Sequence, residues 1–363
     1  MRILIFNWRD IKNPEAGGAE VYTHEIAKRL VAKGHQVTLF ATAFKNCLKK
    51  EFIDGVKIVR AGNKFSVYWK AKEYYKKKFL KERFDVVIDE INTRPFLTPE
   101  FINNEEKIIA LIHQLAREFW FYETPMPISL IGYHFLEKIW LKKYKNILAI
   151  TVSSSTKEDL KKLGFKKISI IRNGINVQPL DEIPKKNERP TIIYVGRMKK
   201  AKKPQDVIEA FKIVREKIKN VELWMLGDGY MRRRLEAKNI QGIKFLGYVN
   251  KKTKDELVKK AWVIAVPGVR EGWGQVVTDA NALGTPAVGY NIPGLRDSIK
   301  NSYNGILINP NPRSLADSLI KILENDSFRI KLSQNAIEWA KQFSWDRSAE
   351  EFERILEDIL QKE

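Results

Sequence analysis

Arg197 and Lys202 lie five residues apart in YVGRMKKAKKPQDVIEAF (194–211), a stretch that reads as strand, loop and helix. Arg197 follows Val195-Gly196 at the strand's end, where side chains project from the edge of a sheet. A guanidinium gives forked hydrogen bonds to phosphate oxygens, and an ammonium adds a compact charge. Together they suit a diphosphate leaving group, on which negative charge builds as its bond to carbon breaks. Lys199, Lys200, Lys202 and Lys203 also fit a plainer alternative, a solvated basic loop.

Glu271 and Asp279 stand eight apart in PGVREGWGQVVTDANALGTPAVGY (267–290), with Gly272 and Gly274 between them and a helix predicted from Gln275. One carboxylate on the loop and one on the helix could bind two sets of hydroxyls along an extended ligand, a sugar and a ribose. N–H groups at the helix start could meet phosphate. The alternative is a surface glutamate and a solvated helix aspartate. In NPEAGGAEVY (13–22), Gly17 and Gly18 let backbone approach a ligand closely just before a helix; an ordinary glycine-containing loop is the other possibility. His113 follows an apolar strand, a position open to a packed core histidine or to a site residue.

The elements that must position these groups alternate between strand and helix. Strands are predicted at Ile3–Asn7, Gln36–Ala41, Val56–Arg60, Val86–Ile88, Ile108–Ile112 and Leu148–Val152, with a helix over Val21–Lys33 closed by Gly34. Residues 178–190 are polar, Pro-containing and aperiodic, as in a linker. A second series follows at Thr191–Val195, Val221–Leu226, Ile243–Phe245, Val263–Val266, Ala287–Gly289 and Ile306–Ile308. Two successive doubly wound α/β domains result: 1–180, then 191–345 after a linker at 181–190. A helix over 346–363 puts Phe352, Ile355, Leu356 and Ile359 on one face and is expected to pack toward the first domain. Ligands of such domains bind at the carboxyl ends of the strands, here in an interdomain cleft.

Composition bounds the rest. The chain has 363 residues, 44% of them hydrophobic and 11% aromatic, ample for two cores. No apolar run reaches a membrane span, and MRILIFNWRD reads as a buried strand rather than a signal peptide, so a cytoplasmic location is expected. Cys47 is the single cysteine and cannot form an internal disulfide. The net charge is +21, with 32 Lys and Arg against 19 Asp and Glu over residues 1–180. Such a field favours anionic partners, phosphorylated ligands or acidic lipid among them; a Lys/Glu-rich surface of the heat-stable kind is equally compatible. In FSVYWKAKEYYKKKFLKERF (65–84), aromatics alternate with lysines. That pattern suits either a peripheral contact with an anionic membrane or a surface helix burying Val67, Tyr74 and Leu80 under solvated lysines.

Taken in order, GGAE after the first strand, VGR with a lysine five residues on, and EGWG followed by an acid resemble family 4 of the retaining glycosyltransferases. RNGIN (172–176), LGDG (226–229), FLGYV (245–249) and ALGTPAVG (282–289) extend the resemblance, as do INTRPFLTP (91–99), IHQLAREFW (112–120) and TVSSSTKEDL (151–160). The family implies the GT-B fold, two facing Rossmann-like domains with an interdomain cleft. It implies transfer of a sugar, hexosyltransferase-type, from a UDP- or GDP-linked donor to a glycan, lipid-phosphate or other hydroxyl acceptor.

The resemblance also implies roles. Gly17 and Gly18 would lie under the donor phosphates, and His113 near the transferred sugar. Arg197, following Gly196, and Lys202 would neutralise the diphosphate. Glu271 would bind sugar hydroxyls, and the peptides of Gly272, Trp273, Gly274, Gln275 and Val276 would touch sugar and phosphate. Asp279, where the family usually has Glu, would bind the ribose, and the main chain at Gly247–Val249 would meet the base. Lys203-Pro204 stands where the family often has glycine after the lysine, which leaves Lys202 and Lys203 as alternatives; counting from Arg197 and from Ala210 favours Lys202. No cofactor and no tightly bound metal is expected, and the partners are the nucleotide sugar and a glycan or lipid-linked acceptor. A GT-B epimerase or phosphorylase is the nearest alternative, since it shares the fold without requiring EGWG and a following acid. An NAD-dependent oxidoreductase would need a glycine-rich turn directly after the first strand, which is missing. Nucleic-acid binding has only the charge in its favour, with no zinc-finger or RNP motif.

Overall fold

The computed structural model describes residues 1–361. The chain forms two compact units. One comprises Met1–Trp120, Met126–Gly174 and Ser344 onward; the other comprises Phe121–Pro125 and Ile175–Phe343.

The first unit is built on strands β1 (Arg2–Phe6), β2 (Gln36–Ala41), β3 (Lys50–Ile53), β4 (Val56–Arg60), β5 (Val86–Glu90), β6 (Lys107–Ile112), β7 (Leu148–Thr151) and β8 (Ile168–Ile170). Their spatial order is β3-β4-β2-β1-β5-β6-β7-β8. The pairs are parallel except β3–β4. Central strands are buried on both faces, which is why they read as continuous apolar runs rather than alternating ones. Helix α1 (Gly18–Ala32) buries Tyr22, Ile26, Ala27 and Leu30. Gly34, at φ +90°, ends it, and the N–H groups of Gly34 and His35 return to Val31 and Leu30.

Two strands, β3 and β8, were absent from the expectations. β3 and β4 join through Asp54-Gly55, both at positive φ, the tight turn that aligns with strand twist. β8 is a three-residue edge strand whose side chains are only half-buried, too short for a periodic signal. Helix α2 (Val67–Tyr74) continues through a π-turn to Glu82; it buries Val67, Ala71, Tyr75 and Phe79, while Leu80 stays exposed.

The second unit carries β9 (Thr191–Val195), β10 (Glu222–Leu226), β11 (Ile243–Gly247), β12 (Val263–Val266), β13 (Ala287–Tyr290) and β14 (Gly305–Ile308), in the order β11-β10-β9-β12-β13-β14 and all parallel. Helices α3 (Pro204–Lys217) and α4 (Gln275–Ala282) follow β9 and β12.

The unit boundary corrects the expected one at residue 180. It falls at Gly174, where a side chain would meet the backbone N of Trp345 at 2.2 Å. Nor is 181–190 a free linker. Leu180 N–H donates to Ala282 O, Asn187 N–H to Lys260 O, and the Lys186 ammonium to Lys259 O, Gly284 O and Thr285 Oγ1. The last helix, α5 (Trp345–Gln361), belongs to the first unit and packs on α1, with Arg29 on Asp346 and both Lys33 and His35 on Glu353.

Candidate active site

In each sheet the chain reverses its direction of travel once: between β1 and β5 in the first, between β9 and β12 in the second. Loops diverge at the carboxyl ends of strands flanking such a switch point and leave a crevice for ligand. The candidate residues fall at these two places.

In the second unit, β9 delivers Gly196-Arg197 and the loop to Lys202, and its neighbour β12 delivers 267–274. The two loops are joined by Val269 N–H on Ala201 O. Lys202 Nζ makes an ion pair with Glu271. Lys203 turns elsewhere: its backbone is left-handed (φ 48°), and its ammonium lies 3.5 Å from Asp206 and over the rings of Tyr122 and Tyr290. The geometry thus separates two lysines that adjacency left as rivals.

Arg197 is half-buried, and its carbonyl accepts the Tyr194 hydroxyl at 3.1 Å. The LGDG loop supports it from behind: Met198 N–H donates to Asp228 O, and a side chain at Gly227 would approach Gly196 O to 2.1 Å. Glu271 is fixed through its backbone, with its N–H on Pro293 O and its carbonyl against Gly294. Trp273 is only 3% exposed and packs edge-on to Phe343, so of this residue the peptide groups are what remains for a ligand. Gly272, Gln275 and Val276 are half-buried around the start of α4, and Gly274 caps it at φ +92°. Gly247, at φ +67°, accepts Gly227 N–H on its carbonyl and lies against Arg232, with Val249 half-buried beyond it.

Asp279 is less open than a ribose ligand on a helix was expected to be. It is buried, and its carboxylate accepts from Asn176 N–H, Asn176 Nδ2 and Gln275 Nε2 at 2.9–3.0 Å. Those bonds tie the start of 175–190 to α4 and occupy most of the acid's acceptor capacity.

In the first unit, Gly17 and Gly18 open α1 behind a long loop held by two ion pairs. Arg9 Nε lies 2.9 Å from Glu20, whose other oxygen accepts Gly17 N–H at 2.7 Å. Buried Arg60 grips Asp10 through two nitrogens. Gly18 is exposed, and a side chain there would meet nothing within 4 Å, so packing does not account for the glycine.

His113 is buried at the end of β6, edge-on to Tyr22, with Nε2 3.2 Å from Glu90 Oε1. The other Glu90 oxygen accepts from Thr23. Burial pushes the Glu90 carboxyl up from its ordinary value, and the His113 and Thr23 bonds partly offset that. Glu90 was missed in the sequence, although VVIDE places an acid at the carboxyl end of a central strand next to the switch point. Also unforeseen is Glu123. It packs with the second unit, accepting Ala201 N–H at 3.0 Å and facing Tyr230 Oη, which accepts Lys200 N–H.

Comparison with known proteins follows the same division. Residues 16–179 match the family described as Glycosyltransferase Family 4, and residues 180–339 match Glycosyl transferases group 1. An uncharacterized glycosyltransferase of Methanocaldococcus jannaschii, MJ1607, is 28% identical over 97% of this chain and 96% of its own. Among solved structures, sucrose-phosphate synthase from Thermosynechococcus elongatus superposes with a TM-score of 0.82 over the whole of both chains at 20% identity. Anabaena HepE in complex with UDP and glucose superposes at 0.73, over 99% of this chain and 100% of its own, at 16% identity. With its two parallel-sheet α/β units and a family match spanning both, the chain has the GT-B fold and belongs to the family 4 glycosyltransferases of the group 1 type.

Proposed function

We propose that the protein transfers a hexosyl group, with retention of configuration, from a UDP- or GDP-linked sugar to a hydroxyl of a glycan or lipid-phosphate acceptor. The observation that carries this reading is the Lys202–Glu271 pair, on the loops that follow the adjacent strands β9 and β12 at the switch point. It sets a phosphate-binding cation against a hydroxyl-binding carboxylate, the two chemistries that meet at a sugar–diphosphate junction. HepE binds UDP and glucose on the same fold, which supports a nucleotide-sugar donor.

In this reading Arg197 and Lys202 neutralise the diphosphate as the bond from the anomeric carbon to its oxygen breaks. The acceptor oxygen forms the new bond on the same face, and its proton passes to the departing phosphate oxygen. Glu271 holds sugar hydroxyls; His113, oriented by Glu90, holds a hydroxyl near the anomeric centre. The rate gain comes from placement and from charges fixed before reaction. Asp279 reaches a ribose only while sharing an oxygen with its present donors.

The test is thermal shift with UDP-, GDP-, ADP- and dTDP-sugars, since a ligand that binds only the folded state raises the melting temperature. One nucleotide class is expected to stabilise the protein, and NMR of the product formed from that donor reports the anomeric configuration. No stabilisation by any donor would defeat the proposal.

A further inference from the structure

Residues 128–142 form one helix, with a π-turn at Gly132–Leu136, whose faces are inverted. Facing the protein are Ser129, Gly132, Glu137 and, in the last turn, Leu141; facing outward are Ile128, Ile131, Phe135 and Ile139, the last two 61% and 57% exposed. A helix serving only the fold turns its apolar stripe inward. The inverted setting is built in. Gly132 lies so close to the Trp120 ring that a side chain would approach it to 2.4 Å. Buried Glu137 accepts the N–H groups of Ala116 and Arg117 at 2.6 and 3.2 Å. Rotating the helix to hide its apolar residues would break both contacts and bury Lys138.

The outward face continues onto α2. The Arg94 guanidinium lies 4.4 Å from the centre of the Tyr68 ring and 6.0 Å from that of Trp140, joining α2 to the inverted helix. Beside Tyr68, Phe65 and Trp69 are 76% and 81% exposed. Residues 64–83 carry eight Lys or Arg against two Glu, and all eight basic residues are exposed; Lys138 and Lys142 are exposed on the inverted helix, and Lys143 just beyond its end.

We propose that this joined surface docks the first unit on an anionic lipid bilayer, the aromatic and aliphatic side chains entering the headgroup boundary and the lysines meeting lipid phosphates. Apolar side chains flanked by a basic rim match an interface of mixed character. Basic residues within a Debye length of an acidic leaflet each add attraction. The same charge opposes a second copy of this chain as the occupant, since net +21 molecules repel. Among the described residues no helix is long and apolar enough to cross a membrane, so the contact is with the surface. The segment singled out by its sequence, 65–84, then supplies part of the charge and two aromatic anchors, and the inverted helix supplies the rest of the apolar area. This inference goes beyond the transfer reaction and does not depend on it.

The test is flotation of the full-length protein with vesicles of phosphatidylcholine alone and of phosphatidylcholine containing phosphatidylglycerol, with no donor added. Binding is expected to the anionic vesicles only and to weaken as salt rises. The double variant Phe135→Glu/Ile139→Glu is expected to bind at least ~10-fold less, with an unchanged circular-dichroism melt as the folding control. Lys138→Glu/Lys142→Glu, which leaves the apolar residues intact, is expected to lose the preference for anionic vesicles. Equal binding to neutral vesicles, or wild-type binding by both double variants, would overturn the proposal. So would a native dimer that Phe135→Glu/Ile139→Glu converts to monomer, since the face would then be a subunit interface.

Discussion

Glu90 Oε1 lies 3.2 Å from His113 Nε2, inside the sheet at the carboxyl ends of neighbouring strands β5 and β6. This bond orients the His113 ring, and with Glu90 ionised the carboxylate acceptor holds the proton on Nε2. The acid is fully buried and its carboxyl is raised by burial, a direction that works against stability at neutral pH. A folded value above the unfolded one favours folding below the unfolded pKa, and that advantage is lost as pH rises through the folded value.

Glu90→Gln is therefore expected to divide stability from activity. The amide keeps the size of the side chain and can still accept from Thr23. At neutral pH the variant should melt at or above the wild-type temperature, and the difference should shrink as the pH is lowered toward ~4, the unfolded carboxylate range. Transfer should fall roughly tenfold, the scale of one misdirected hydrogen bond worth ~1.4 kcal/mol. Melts across pH together with initial rates check this; a variant both less stable and fully active would make Glu90 a packing residue only.

Lys202→Ala and Lys203→Ala should behave oppositely despite adjacency. Removing the Lys202 ammonium is expected to weaken nucleotide-diphosphate affinity by about 2 kcal/mol, roughly thirtyfold, with a comparable loss for Arg197→Ala. Lys203 answers to Asp206 and two tyrosine rings, so its loss should leave that affinity within about twofold and slightly lower the melting point. Isothermal titration with the donor's nucleoside diphosphate separates the two.

Glu271→Gln gives a prediction with an unusual sign. The Glu271 carboxylate holds the Lys202 ammonium. A phosphate must share or replace that partner, so the neutral amide should leave nucleotide-diphosphate affinity unchanged or tighter. The sugar's hydroxyls lose a charged acceptor, so transfer should drop by about 1.5–3 kcal/mol in k for the chemical step, tenfold or more. Weaker binding of the nucleoside diphosphate would mean that the acid acts on the phosphates indirectly, by holding Lys202 in place.

How far the sequence disclosed this arrangement depends on the range of the signal. The central strands were legible because burial on both faces forces continuous apolar runs. β8 was not, because a short, half-buried edge strand has no such run. Arg197 and Lys202 were readable from one loop, since both follow β9 directly. The Lys202–Glu271 pair joins residues 69 positions apart and was not, because contact across a switch point depends on which strands become neighbours. Asp279 was read as an open acid because nothing local reveals that Asn176 would return to it. The inverted helix was invisible for a related reason: its apolar spacing is ordinary, and only Gly132 against Trp120 and Glu137 against Ala116 decide which face turns out.

Gly18 and Gly274 offer a contrast between a glycine kept for a ligand and one kept for the backbone. At Gly274 the φ of +92° disfavours any side chain, and a methyl would meet Ser298 Oγ at 2.7 Å and Leu295 at 2.9 Å. Gly274→Ala should destabilise the fold by about 1–3 kcal/mol and lose activity through that route. At Gly18, in the first turn of α1, a methyl meets nothing within 4 Å. There alanine should leave the melting point unchanged or raise it, since it is the better helix former by up to ~1 kcal/mol. If donor phosphates approach the backbone at this turn, Gly18→Ala should nonetheless raise KM for the donor severalfold. Melting curves and donor titrations on the two variants read the contrast directly. Full activity in Gly18→Ala would remove Gly18 from the proposed donor site without bearing on the roles proposed for Arg197 and Lys202.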